Sequence, residues 1–128
     1  MPELNFLAIG AAAVAAFVVS GVWYGVFAKQ LKELGPSAEP KPMALLLPVE
    51  LVRNLVLATV LAWLASATGA VGVPGALVLG LVLWVGFPGV LLAGSVFHEN
   101  VPWRLAALHA GDWLVKLLVI AAIVGFWR

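Results

Sequence analysis

The sequence contains no cysteine and few charges: seven lysines or arginines and six aspartates or glutamates among 128 residues. Without cysteine there are no disulfides, thiolate nucleophiles or thiolate metal sites. The formal net charge of +1 is spread along the chain, so the basic patch that a nucleic-acid partner needs is missing. Gly-rich phosphate loops, zinc motifs and serine triads are also missing. Long polar stretches are scarce, the longest running from Lys29 to Pro42.

Apolar residues dominate. They make up 64% of the chain and the mean hydropathy is +1.12, against about 45–50% apolar usage in soluble domains. A water-soluble fold of this length could not bury so much apolar surface. The bilayer is the partner this composition demands, and four spans of about 20 residues fill nearly the whole length. The expected fold is all-α: one domain, residues 1–128, forming an integral membrane four-helix transmembrane bundle with spans at about 5–28, 43–68, 73–97 and 103–127.

The flank Met1-Pro2-Glu3 lacks the cations of a secretory n-region, so the first run reads as a retained span. Lys29, Lys32, Gly35 and Pro36 mark its end, and Lys29 to Pro42 is expected to be a loop. Pro48 lies near the start of the second span and is tolerated only in a first turn, which places the start of regular helix near Leu47. Gly69, Gly72, Pro74 and Gly75 predict a tight turn. Gly86-Phe87-Pro88-Gly89 predicts a kink or local unwinding inside the third span. The loop from His98 to Pro102 leads into the fourth.

Lys29, Lys32, Lys41 and Arg104 flank the first and third loops, whereas the opposite side carries Arg128 and the terminal amine. The positive-inside rule then places those loops in the cytoplasm and both termini outside, in a bacterial inner membrane. Small residues recur at every fourth position: Gly21 and Gly25, then Ala58, Ala62, Ser66 and Ala70, then Gly72, Ala76 and Gly80. Such stripes allow close helix approach, within one chain or between two.

Ionisable residues inside the spans carry the functional signal. Glu50, Arg53 and Asn54 share an arc of about 100° on the second span, and His109, Asp112, Trp113 and Lys116 share a similar arc on the fourth. Arg104 points elsewhere and is shallow enough to snorkel. Arg53 and Asp112 each lie about 15 Å along their helices from the same side. Arg53 with Asp112, and Glu50 with His109, are therefore possible cross-helix pairs. Local pairs are open too, Glu50 with Arg53 and Asp112 with Lys116. Insertion scales charge about 2.5–3.5 kcal/mol per central ion, so lipid exposure of Glu50 and Arg53 would cancel about all that a dozen aliphatic residues contribute. Both faces should turn inward, toward each other or toward a water-filled cavity. Either the charges only fix helix register, or they form a site for a proton, an ion or a small polar solute.

His98 and His109 are too few and too far apart in sequence to suggest a metal or haem site, and no cofactor is expected. Of six tryptophans, Trp103 and Trp127, with Trp23 and Tyr24, suit interfacial belts; Trp84 and Trp113 lie deeper, and Trp113 could wall a pocket or simply fill the core.

Asn5 at the start of the first span, Trp23-Tyr24-Gly25 with Phe27 and Lys29 at its end, Gly86-Phe87 in the third span and Asp112-Trp113 in the fourth form a pattern covering nearly the whole chain. In these features the chain resembles the small bacterial four-helix membrane proteins grouped as domain of unknown function 1761. The family often has tyrosine after the acidic residue of the last span; this chain has Trp113 there, so a hydroxyl role at that position does not carry over. The resemblance implies the topology and no activity.

These readings lead to two expectations. The first is a homo-oligomer, most simply a dimer, that transports a small ion, proton or polar solute through a cluster of Glu50, Arg53, Asn54, His109, Asp112, Trp113 and Lys116. The second is a non-transporting scaffold that binds a lipid, a hydrophobic ligand or a partner helix. A membrane enzyme would need a nucleophile or cofactor motif that the sequence does not display.

Overall fold

Asn5 takes an extended conformation at the head of the first helix, and its side-chain oxygen accepts the Ala8 N–H at 3.1 Å. This N-cap satisfies one of the donors that a helix start leaves unpaired. The Asn5 amide donates to the Trp127 carbonyl at 3.3 Å, which holds the two ends of the chain on one side of the molecule. A computed structural model describes residues 4–34, 43–70 and 72–127. Its helices are α1 (Phe6–Val26), α2 (Ala28–Leu34), α3 (Met43–Ala67), α4 (Gly72–Trp84), α5 (Val90–His98) and α6 (Trp103–Phe126), with a π-helical turn, Val85–Gly89, joining α4 to α5. Among the described residues four segments are long and apolar enough to cross a membrane: α1, Ala44–Ala67, Gly72–His98 and α6.

Two boundaries differ from the sequence reading. The segment expected to be a loop begins with the short helix α2; residues 35–42, including Lys41, lie outside the described residues. The second span is helical from Met43, not from near Leu47. Pro48 would have bonded Ala44, so the missing donor falls within the first turns, where its loss disrupts least. The other breaks follow the glycines and prolines. Gly69 is left-handed (φ +70°), with Ala70 N–H returning to the Ala65 carbonyl and Gly69 N–H to Ser66, the Schellman arrangement that stops α3. Pro88 cannot donate to Trp84, and the chain responds with a π-helical turn, whose wider bonds skip the missing donor.

The packing centre is α6, which lies against α1 on one side and α4 on the other, while α3 packs chiefly on α1. Contact is close because the interfaces are built of small residues. On α1, Ala8, Ala12, Ala16 and Ser20 form a buried stripe at four-residue spacing. Ala58, Leu61, Ala62 and Ala65 face it from α3, and Leu117, Ile120, Ala121 and Val124 from α6. Gly72, Ala76 and Gly80 serve α4 against α6. This core occupies the half of the bundle that holds the chain ends. Gly21 and Gly25 belong to no such contact, since a Cβ at either would meet nothing within 4 Å.

The two kinds of glycine should respond unequally to enlargement. A Cβ on Gly125 would stand 2.8 Å from both the Ala76 Cβ and the Gly72 carbonyl oxygen. Gly125→Val should therefore destabilise the bundle by about 1–3 kcal/mol through overpacking, and Gly21→Val should leave it nearly unchanged. Thermal unfolding of both variants in detergent checks this, and equal effects would contradict the packing described.

Candidate functional site

Toward the other side, the side of α2 and the α5–α6 turn, the helices stand apart. A cavity of about 580 Å³ lies there between α1, α3 and α6. All seven residues singled out from the sequence line it: Glu50, Arg53 and Asn54 from α3, and His109, Asp112, Trp113 and Lys116 from α6. α1 contributes Phe17, Ser20, Gly21 and Tyr24, and α2 contributes Leu31.

The floor is ionic and dry. Asp112 and Lys116 are 2% and 5% exposed, and their side chains pair at 3.5 Å across one turn of α6. The Ser20 hydroxyl donates to the other Asp112 oxygen at 2.6 Å, so both carboxylate oxygens are engaged. The Lys116 ammonium also sits 4.1 Å from the centroid of the Trp113 ring, a cation–π contact that offsets part of its desolvation. Asn54, equally buried, donates to the Glu50 carbonyl at 2.9 Å. Among the described residues no buried side-chain nitrogen or oxygen lacks a partner.

The mouth is ionic and open. Arg53 donates to Glu50 at 2.6 Å, and their side chains are 57% and 38% exposed. Beside them the Tyr24 hydroxyl and His109 Nδ1 share a hydrogen bond of 2.8 Å, whose direction follows the histidine tautomer.

The cross-helix pairs considered from the sequence, Arg53 with Asp112 and Glu50 with His109, do not form. Among the described residues the ion pairs are the two local ones. An i,i+3 or i,i+4 partner on the same helix is held by the backbone itself, whereas pairing across would have to close the cavity that separates α3 from α6. His109 pairs with Tyr24 instead. His98 stands exposed at the end of α5, and among the described residues no three His, Asp or Glu side chains gather into a metal-ligating group.

Ser20 and Tyr24 were not selected from the sequence, although their four-residue spacing on a helix whose other positions are almost all apolar puts two hydroxyls on one face. Trp23 was expected at the interface. Its indole N–H donates to the Leu108 carbonyl at 3.0 Å, and its ring occupies the space above Gly111, where any Cβ would collide with it. From the other flank Trp84 donates to Ala110 at 2.8 Å. These carbonyls accept a second bond beside the helical one. The segment that carries His109 and Asp112 is thus held from both flanks.

The two ion pairs should differ in energetic weight. Breaking the buried one with Lys116→Met should destabilise the fold by about 3–5 kcal/mol, whereas Arg53→Gln at the exposed pair should cost less than about 1 kcal/mol. Denaturant titration of both variants measures the difference, and a benign Lys116→Met would mean that the pair is not desolvated.

The sequence model of a family described as a protein of unknown function, DUF1761, matches residues 7–125. No curated protein and no solved structure matches the chain. The match covers nearly the whole chain, and with four helices among the described residues long and apolar enough to cross a membrane, the chain belongs to the DUF1761 family.

Proposed function

We propose that the chain transports a small ion, a proton or a small polar solute, and that the cavity floored by Asp112 and Lys116 is its site. The observation that carries this reading is the gathering of every strongly polar residue of α3 and of the α6 interior, together with Ser20 and Tyr24, around one cavity. Ionisable groups at such depth are expensive unless they meet a partner or water, and they commonly mark pathways. Exposed Glu50 and Arg53 mark the access, while Asp112 and the Tyr24–His109 pair offer groups that can hold and pass a proton. In this reading the cavity opens to the cytoplasm, with the first and third loops on that side and the termini outside, as the Lys and Arg bias indicates.

Beyond the floor, Ala12, Ala16, Leu61, Ile120 and Ala121 close the bundle. Passage therefore runs along an interface between copies. The broad exposure of α3 and of the third span, and the uncovered Gly21 and Gly25, leave ample surface for a homodimer in the bacterial inner membrane. The seven residues Glu50, Arg53, Asn54, His109, Asp112, Trp113 and Lys116 are assigned to solute binding, and no catalytic role is assigned to any of them.

A second reading, a binding protein for a lipid or hydrophobic ligand, has its own observation: an apolar groove of about 640 Å³ between α3 and the third span. Flux separates the two. In liposomes loaded with a pH-sensitive dye, and in parallel with labelled monovalent cations, the wild type should conduct, and Asp112→Asn or Glu50→Gln should abolish conduction. A wild type indistinguishable from empty liposomes would end the transport reading.

A further inference from the structure

The volume and walls of the polar cavity narrow the choice of solute. At about 580 Å³ it falls within the range of sites for small organic molecules, about 300–1,000 Å³, and is far larger than a bare ion needs. Beside its charges it is walled by Phe17 of α1, Leu46 and Leu47 of α3 and the Trp113 ring. A solute with a short carbon body gains contact there that a hydrated ion does not.

The floor sets the chemistry of the charged end. Lys116 has three N–H donors, and the structure gives its ammonium one carboxylate oxygen at 3.5 Å, a long contact, and the face of an indole. This buried cation lines the cavity with donors to spare. Asp112 is held at Oδ1 by the Ser20 hydroxyl at 2.6 Å, while Oδ2 faces Lys116. A carboxylate brought to Lys116 would stand beside that of Asp112, and two carboxylates sharing one site do not both stay ionised. One proton must be taken up, and Oδ2 can accept it with the Ser20 bond to Oδ1 intact. The mirror-image exchange, in which a cation arrives and Lys116 loses its proton, would forfeit the ring contact that the ammonium makes with Trp113.

The other ionisable groups around Asp112 are Tyr24 from α1, Glu50 and Arg53 from α3, and His109 from α6 itself. Glu50 and Arg53 are paired with each other, and His109 with Tyr24. α2 contributes Leu31 to the cavity and keeps Lys29, Lys32 and Glu33 exposed outside it, and the third span carries no ionisable side chain except exposed His98.

We infer that the solute is a small monocarboxylic acid with a short apolar body, bound as carboxylate and proton together. The carboxylate lies on the Lys116 ammonium, the proton on Asp112 Oδ2, and the body against Phe17 and Trp113. Charge balances: one anion and one proton enter, and the floor keeps its net charge. This deepens the transport reading and rests on its assignment of the cavity as the solute site, but it concerns binding and is separable from passage.

The test is titration of the full chain in weakly buffered maltoside micelles with butanoate, against butanamide as a neutral isostere, sodium chloride, and empty micelles as the reference. Wild type should take up about one proton per butanoate bound, and its affinity should fall as pH rises, approaching about tenfold per pH unit. Butanamide and chloride should cause no proton uptake. Asp112→Asn, which keeps the size of the side chain, should bind butanoate with no proton uptake and no pH dependence. Butanoate bound by the wild type without a proton, no butanoate bound at all, or proton uptake that survives Asp112→Asn overturns the inference; if that variant does not fold, the wild-type proton count decides. Proton-coupled binding without flux in liposomes would end the transport reading and keep the inference, whereas flux of a cation with no butanoate bound would do the reverse.

Discussion

An ion inside a bilayer must find a counter-charge, a hydrogen bond or water, and the rest of this structure is arranged around that constraint. Asp112 and Lys116 pair within one turn of α6 and borrow a hydroxyl from Ser20 and a ring face from Trp113. None of these contacts alone offsets the desolvation of two charges; together they fill both carboxylate oxygens and place the ammonium against the negative face of an indole. Glu50 and Arg53 meet the same constraint differently, by pairing with each other at the open mouth of the cavity. The polar cluster is therefore graded, buried at its floor and exposed at its mouth.

The gradient follows from how the bundle is packed. In the half that carries the chain ends, alanine and glycine stripes bring α1, α3, α4 and α6 close together, and van der Waals contact between backbones replaces the hydrophobic drive that lipid cannot supply. In the other half the residues on the same faces are Ser20, Tyr24, Asn54, Arg53, His109 and Asp112, which pack less closely and leave a cavity. Trp23 over Gly111 and Trp84 against Ala110 keep α6 fixed across the boundary between the halves. A bundle closed on one side and open on the other gives a site with a defined direction of approach.

Much of this arrangement was legible in the sequence, because the bilayer leaves so few alternatives. Four apolar runs give four spans, Pro88 with its glycines marks the π-helical turn, and the arcs of α3 and α6 place their seven polar residues on facing surfaces. Pairing was less legible: a helical wheel sets which residues face inward but not how far apart two helices stand, and that distance selected the local pairs over Arg53–Asp112. Trp23 shows the same limit, since only the small size of Gly111 on a different helix makes room for its ring. Ser20 became visible as a site residue only once the stripe of Ala8, Ala12 and Ala16 had fixed which face of α1 meets α6. The helix at Ala28–Leu34 was hidden in a polar, proline-ended stretch that lacks the length of a span.

The absence of cysteine makes the central claim, a solvated cavity reached from one side only, directly measurable. A single cysteine placed at Gly21, which lines the cavity and has open space around it, can be challenged in sealed vesicles of known orientation with a membrane-impermeant thiol reagent. The account predicts rapid modification from the side of the first and third loops and none from the side of the chain ends. Modification from both sides, or from neither, would contradict it.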